Sequence, residues 1–185
     1  MSSQTRTLAG RRADTVDRLL DATTLEVAAV TYDGLTVRSV ARRAGVAPAT
    51  AYTYFSSKDH LVAEVFWRRL DAIPPVASDQ RDSVARRVSA ALGDVSALVA
   101  REPELARACT AALMSSEADV VRLRDRIGGV IHRRLADALG DDADPSVLDA
   151  LDLAFSGALV RAGTGNLSYE ELGERMGRIA EVVTR

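Results

Sequence analysis

Cysteine is almost missing from this chain of 185 residues, where Cys109 stands alone. It cannot close an intrachain disulfide, which predicts a reducing compartment, the cytoplasm. Lysine is equally scarce, Lys58 being the single one among 24 basic residues. Histidine occurs twice, at His60 and His132, each isolated, so no cluster has metal-ligand spacing. No run of about 18 apolar residues occurs, which excludes a membrane-spanning helix. The arginines near the N-terminus have no apolar segment behind them, so no secretory signal is expected. A Gly-x-Ser-x-Gly elbow, a Walker loop and a dinucleotide fingerprint are also absent. Gly163-Thr164-Gly165 follows no strand pattern, and Asp141, Asp142 and Asp144 read as a solvated loop. Neither an enzyme nor a cofactor or metal is expected.

What the chain does have is apolar periodicity. Its hydrophobic fraction of 47% excludes disorder and suffices for a core. Residues 1–10 lack periodicity and predict a frayed tail. Val16, Leu19, Leu20, Thr23, Val27 and Val30 then recur at helical spacing, predicting a helix from about Arg12 to Val30. Leu61, Val62, Val65, Phe66, Trp67, Leu70 and Ile73 form a further helix, apolar on more than one side and stopped by Pro74-Pro75. Ser56, with Asp59 three residues on, is its expected cap. Later stripes run through Val84–Val99, Leu105–Leu113, Val120–Leu139, Leu148–Leu159 and Leu172–Val183, with Pro103 and Pro145 opening two of them. No strand-like alternation of useful length appears. The fold class is all-α, with about nine helices.

Between the first long helix and the Leu61 stripe lie residues 36–58. Thr36 suits a helix N-cap, and Val37, Val40, Ala41 and Ala44 form a short apolar stripe. Gly45 stands where a left-handed residue must end that helix. Pro48 suits the first turn of a second short helix, with Ala51 and Phe55 facing inward. Two short helices around a tight turn, the second carrying exposed Thr and Tyr, form a helix-turn-helix that sets one helix in the major groove. Charge agrees in sign: residues 1–60 carry eight basic and six acidic side chains, the remainder sixteen and twenty. Chance would produce so small an asymmetry as readily.

Gly45-Val46, Tyr52-x-x-Phe55 and Ser57-Lys58-x-x-Leu61 resemble the DNA-binding signature of the tetracycline-repressor (TetR) family. The likeness covers about the first third of the chain. Departures are Val27 where that family often has an aromatic, Thr31 where it usually has glycine, and Ala51 where it has a larger aliphatic. The resemblance implies an N-terminal three-helix head over 1–57 and a ligand-binding and dimerisation bundle over 58–185. It places Arg38 at a base edge, where its guanidinium can bridge guanine O6 and N7, or else merely on the surface. Pro48, Ala49, Thr50 and Thr53 match groove-facing positions, and Tyr52 and Tyr54 match positions that bond phosphate, with a mostly core role the alternative for Tyr52. Lys58 would add a phosphate clamp at a helix N-terminus. Thr36 and Ser39 can donate to phosphate or simply cap, and Arg6, Arg11 and Arg12 can serve as a basic arm or as solvated charge.

One head offers few base contacts, so the resemblance also implies a homodimer through the last two helices. Gly157, Ala158, Ala162 and Gly163 would let the helix carrying the Leu148–Leu159 stripe approach a partner, and Met176 and Ile179 would add apolar area; packing inside one chain is the alternative. Trp67, Leu70, Leu92, Cys109, Leu113, Ile127, Ile131, Phe155 and Leu159 would frame a cavity for a small lipophilic effector, or else fill a solid core. The implied protein is a homodimeric repressor on a double-stranded, near-palindromic operator. A regulator without effector, an activator, and a helical adaptor that binds no DNA remain the alternatives.

Overall fold

The computed structural model describes residues 2–75, 79, 81–140 and 144–185, with side chains from residue 10 onward. Asp141 and Asp142 of the expected loop, and the side chain of Arg6, lie outside the described residues. Among the described residues the chain is nine helices and no strand: α1 Ser2–Gly34, α2 Val37–Arg43, α3 Pro48–Tyr54, α4 Lys58–Asp71, α5 Val84–Arg101, α6 Pro103–Ala112, α7 Ala118–Leu139, α8 Pro145–Gly163 and α9 Leu172–Val183. None of them is long and apolar enough to cross a membrane.

The first helix begins ten residues earlier than its apolar stripe predicts. Residues 2–11 hold no proline, so nothing prevents the helix from continuing backwards. Its other end is broken: Thr31 sits at φ 60°, ψ 176°, a region almost reserved for glycine. Val30, expected on the buried stripe, is 40% exposed. A β-branched residue at this position costs about 1–3 kcal/mol. Thr31→Gly is therefore expected to raise stability by about 1 kcal/mol, after allowing for glycine's larger unfolded-state entropy. Urea unfolding with an unchanged or lower midpoint would show that the kink carries no strain.

Helices α1 to α3 enclose Leu19, Leu20, Val27, Leu35, Val37, Val40, Ala41, Ala51 and Phe55, all buried. The same core continues through α4, which touches α1, α5, α6 and α7. The cap of α4 is Ser57 rather than Ser56: its Oγ accepts the His60 amide at 3.1 Å. Ser56 is drawn instead toward the start of α7.

Two buried arginines anchor helix ends. Arg134 on α7 donates to the carbonyls of Ile73 (2.7 Å) and Pro74 (3.2 Å) just beyond α4, and to Ala91 (3.4 Å) on α5. Arg87 on α5 donates to Ala138 (2.6 Å) and Leu139 (3.2 Å) at the end of α7 and to Asp82 (2.6 Å). The negative ends of helix dipoles balance these guanidinium charges, and five fixed donors suit several carbonyls at once. On the far side α9 presses against α5 through Gly173 and Gly177. A Cβ on Gly177 would stand 2.6 Å from the Ala85 carbonyl oxygen, so the two backbones meet.

Candidate nucleic-acid interface

The helix-turn-helix is built by local chemistry at each joint. Thr36 Oγ1 accepts the Ser39 amide at 3.0 Å, and Ser39 Oγ accepts the Thr36 amide at 3.2 Å, a reciprocal capping box. Ser39 Oγ also donates to the Thr36 carbonyl. Both hydroxyls are thus engaged in capping α2. At its other end the Val46 amide reaches the Ala41 carbonyl (2.9 Å) and the Gly45 amide reaches that of Arg42 (3.2 Å). This is a Schellman closure, and it needs Gly45 at φ 64°. Pro48 opens α3.

On α3, Ala51 is fully buried and Phe55 is 3% exposed, which turns the opposite face outward. Pro48, Ala49, Thr50, Tyr52 and Thr53 are exposed on that face, Tyr54 is half-buried, and Arg38 is exposed on α2. Arg38 and the Thr50 hydroxyl have no hydrogen-bond or ion-pair partner among the described residues, which leaves both for an incoming ligand. Thr53 differs: its hydroxyl donates back to the Ala49 carbonyl at 3.1 Å, so its methyl is the group left for contact. Arg11 has a partner within the protein, and Arg12 is exposed.

Lys58 is partly committed. Its Nζ donates to the Tyr32 carbonyl at 2.9 Å and lies 4.1 Å from the centre of the Tyr32 ring. An ammonium has three donors, so one not spent on the carbonyl or turned to the ring is left for phosphate. Tyr32 in turn donates its phenol to Asp59 (2.5 Å), and burial, followed by that bond, pushes its pKa up. Sequence reasoning passed over Tyr32 and over Glu26, which is 5% exposed and ion-paired to Arg43. The hydrogen bond from Arg43, more than the opposing cost of burial, holds the Glu26 carboxyl below its usual range. A glutamate on the inner face of an otherwise apolar stripe was the available signal.

Below the head, α6, α7 and α8 frame a cleft of about 570 Å³. Of the residues named for a cavity, Leu113, Ile127, Ile131, Phe155 and Leu159 line it, together with Met114, Gly128 and Val160. Its polar rim holds Thr110, Arg124, Ser156 and a His132–Asp152 pair at 2.6 Å. The remaining expected residues lie elsewhere. Leu70 and Leu92 are fully buried and Cys109 is 3% exposed, because α6 and α7 fill the space against α4 and α5. Burial alone pushes the Cys109 thiol pKa up, as suits an inert core residue. Trp67 is half-buried with Arg126 over its ring at 5.9 Å, so α4 does not wall the cleft.

The expected dimer residues also divide. Met176 is fully buried and Ala162 is 3% exposed, both inside the single chain, and a Cβ on Gly163 would meet Thr110 at 2.9 Å. Gly157 is exposed, with Ala158 and Ile179 half-buried. Sequence reasoning missed Leu153 (67% exposed), Val160 (44%) and Val182 (68%), large apolar groups left uncovered on α8 and α9.

Residues 19–65 match the family model described as "Bacterial regulatory proteins, tetR family". An uncharacterized HTH-type transcriptional regulator of Mycobacterium tuberculosis (strain ATCC 25618 / H37Rv) is 46% identical over 175 residues, covering 94% of this chain and 82% of the relative. This chain belongs to the TetR family. It is also similar to the HTH-type transcriptional repressor KstR of Rhodococcus jostii (strain RHA1), 31% identical over 125 residues, 67% of this chain and 59% of KstR. Among solved structures, a TetR transcriptional regulator from Rhodococcus sp. RHA1 shares the fold with a TM-score of 0.73 at 20% identity, covering 94% of this chain and 97% of that one. FadR from Bacillus subtilis, solved in complex with stearoyl-CoA, shares it with a TM-score of 0.59 at 15% identity, covering 88% and 96%. This TetR-family protein is an HTH-type transcriptional regulator and not an enzyme.

Proposed function

We propose that this TetR-family regulator is a homodimeric repressor, working in the cytoplasm, whose two heads grip a near-palindromic operator until a small lipophilic ligand releases it. The carrying observation is the exposed set on α2 and α3: Arg38 and Thr50 unpartnered, on two short helices bounded by the Thr36–Ser39 capping box, the Gly45 closure and Pro48. Residues 1–57 serve as the DNA-binding unit and 58–185 as the ligand and dimer unit. Arg38 and the groove face of α3 choose sequence, while Tyr52, Tyr54 and Lys58 set register on phosphate.

The apolar walls of the α6–α7–α8 cleft suit a lipophilic body, and its rim suits one polar group. KstR is named a repressor and FadR was solved with stearoyl-CoA, which agrees with both parts of this reading. Because α4 does not wall the cleft, ligand acts on it through α6 and α7, which flank it. A tenfold loss of operator affinity requires about 1.4 kcal/mol of differential binding. Leu153 and Val182 mark the face that a second copy covers, and the isologous contact imposes two-fold symmetry on the site.

Selection of a randomised duplex library on the purified protein is expected to converge on one sequence with approximate two-fold symmetry, bound by two chains per duplex. A pool that never converges, or a converged site without symmetry, sinks this reading.

A further inference from the structure

The segment joining α6 to α7 touches two separate parts of the protein. On one side Leu113 and Met114 form a wall of the cleft, and Arg124 of α7 donates to the carbonyls of Leu113 (2.7 Å) and Ser115 (3.3 Å), holding that wall in place. On the other side Asp119, in the first turn of α7, accepts from Ser56 Oγ at 2.9 Å, with Glu117 at 3.5 Å from the same hydroxyl. Ser56 directly follows Phe55, the C-cap of α3. Its amide donates to His60 Nδ1 at 3.3 Å, its Oγ lies 3.2 Å from the same nitrogen, and the His60 ring meets that of Phe55 edge-on with centroids 5.1 Å apart. Asp119 also pairs with Arg122 and lies 3.6 Å from His60 Nδ1.

A helix of seven residues cannot hold itself, so α3 depends on its two ends. The incoming end is fixed by the Gly45 closure and Pro48. The outgoing end has the burial of Phe55 and the bond from Ser56 to a residue 63 positions away. A carboxylate beside a phosphate-facing helix opposes DNA electrostatically, so its presence calls for a compensating task.

We propose that Asp119 is a positioning residue for DNA binding: by accepting from Ser56 it fixes the outgoing end of the recognition helix and ties that end to the wall of the ligand cleft. This rests on reading α3 as the recognition helix. Two substitutions at Asp119 separate the hydrogen bond from the charge. Asp119→Asn keeps an acceptor oxygen and loses the charge, whereas Asp119→Ala loses both; Ser56→Ala removes the donor at an exposed site where folding is not at stake.

The first readout needs no DNA. Amide exchange at Tyr54 and Phe55 is expected to quicken about fivefold in Asp119→Ala and in Ser56→Ala, to stay near wild type in Asp119→Asn, and to stay unchanged in the middle of α1 in all three. The second readout is affinity for the duplex that wild-type protein selects from a randomised library. Asp119→Ala and Ser56→Ala are each expected to bind about fivefold more weakly, with no further loss when combined, and Asp119→Asn as well as wild type or better. Unchanged exchange, losses that multiply in the double variant, or equal affinity of Asp119→Ala and Asp119→Asn each overturn the proposal. Failure of wild-type protein to select any sequence defeats the recognition-helix reading instead, while the exchange result still reports on the contact itself.

Discussion

Gly177→Val is expected to lower the stability of this protein by about 3 kcal/mol, a large loss for one added side chain of modest size. A Cβ at Gly177 would collide with Ser89 Oγ and lie 2.6 Å from the Ala85 carbonyl oxygen. The serine hydroxyl can rotate away, but the carbonyl belongs to the α5 backbone and cannot. Helix α9 must then lift from α5, opening the seam that buries Leu172, Met176 and Ala180. Gly128→Ala is the matched control, since its Cβ meets nothing within 4 Å. There the helix-propensity gain of about 1 kcal/mol is unopposed and stability should rise. Guanidinium unfolding of both variants gives the comparison; equal midpoints would mean that α9 does not press on α5 as closely as the distances state.

Arg38→Ala is expected to cost about 1–3 kcal/mol of operator affinity and to relax preference at one base pair in each half-site. The side chain is exposed on α2 and spends no donor on the protein, so its removal should leave folding intact. Lys58→Ala makes the informative contrast. It should weaken binding to every sequence and reduce the salt slope by about one, as loss of a phosphate contact does. It should also destabilise the fold, because Nζ joins the end of α1 to the start of α4 through the Tyr32 carbonyl. Binding isotherms over a series of salt concentrations, on specific and scrambled duplexes, separate the two. Equal losses on both duplexes for Arg38→Ala would assign it to the DNA backbone.

Much of the head was legible because its signals are local. Thr36, Gly45 and Pro48 each act within a few residues through a cap, a positive φ or a preset φ, and the structure places all three in those roles. The next cap shows where such signals become ambiguous. Ser56 and Ser57 are equivalent by local chemistry, and the contact of Ser56 with Asp119, far along the chain, leaves Ser57 to cap α4.

The sequence by itself determined the all-α class with about nine helices, the helix-turn-helix and the inward placing of Ala51 and Phe55, since periodicity and local caps state which face of a helix is apolar and where it ends; the set of Arg38, Pro48, Ala49, Thr50, Tyr52 and Thr53 came from the family resemblance. Only the tertiary structure decided what each apolar face meets. Leu70 and Leu92 became solid core while Ile127 and Phe155 came to line a cleft, although their stripes look alike. Met176 turned inward and Leu153 outward for the same reason. The buried guanidinium groups of Arg87 and Arg134 lay outside any pattern, because their partners are carbonyls of other helices. A stripe records that water is excluded from one side of a helix; whether a neighbour, a ligand or a second chain excludes it depends on distances between elements, which no local signal encodes.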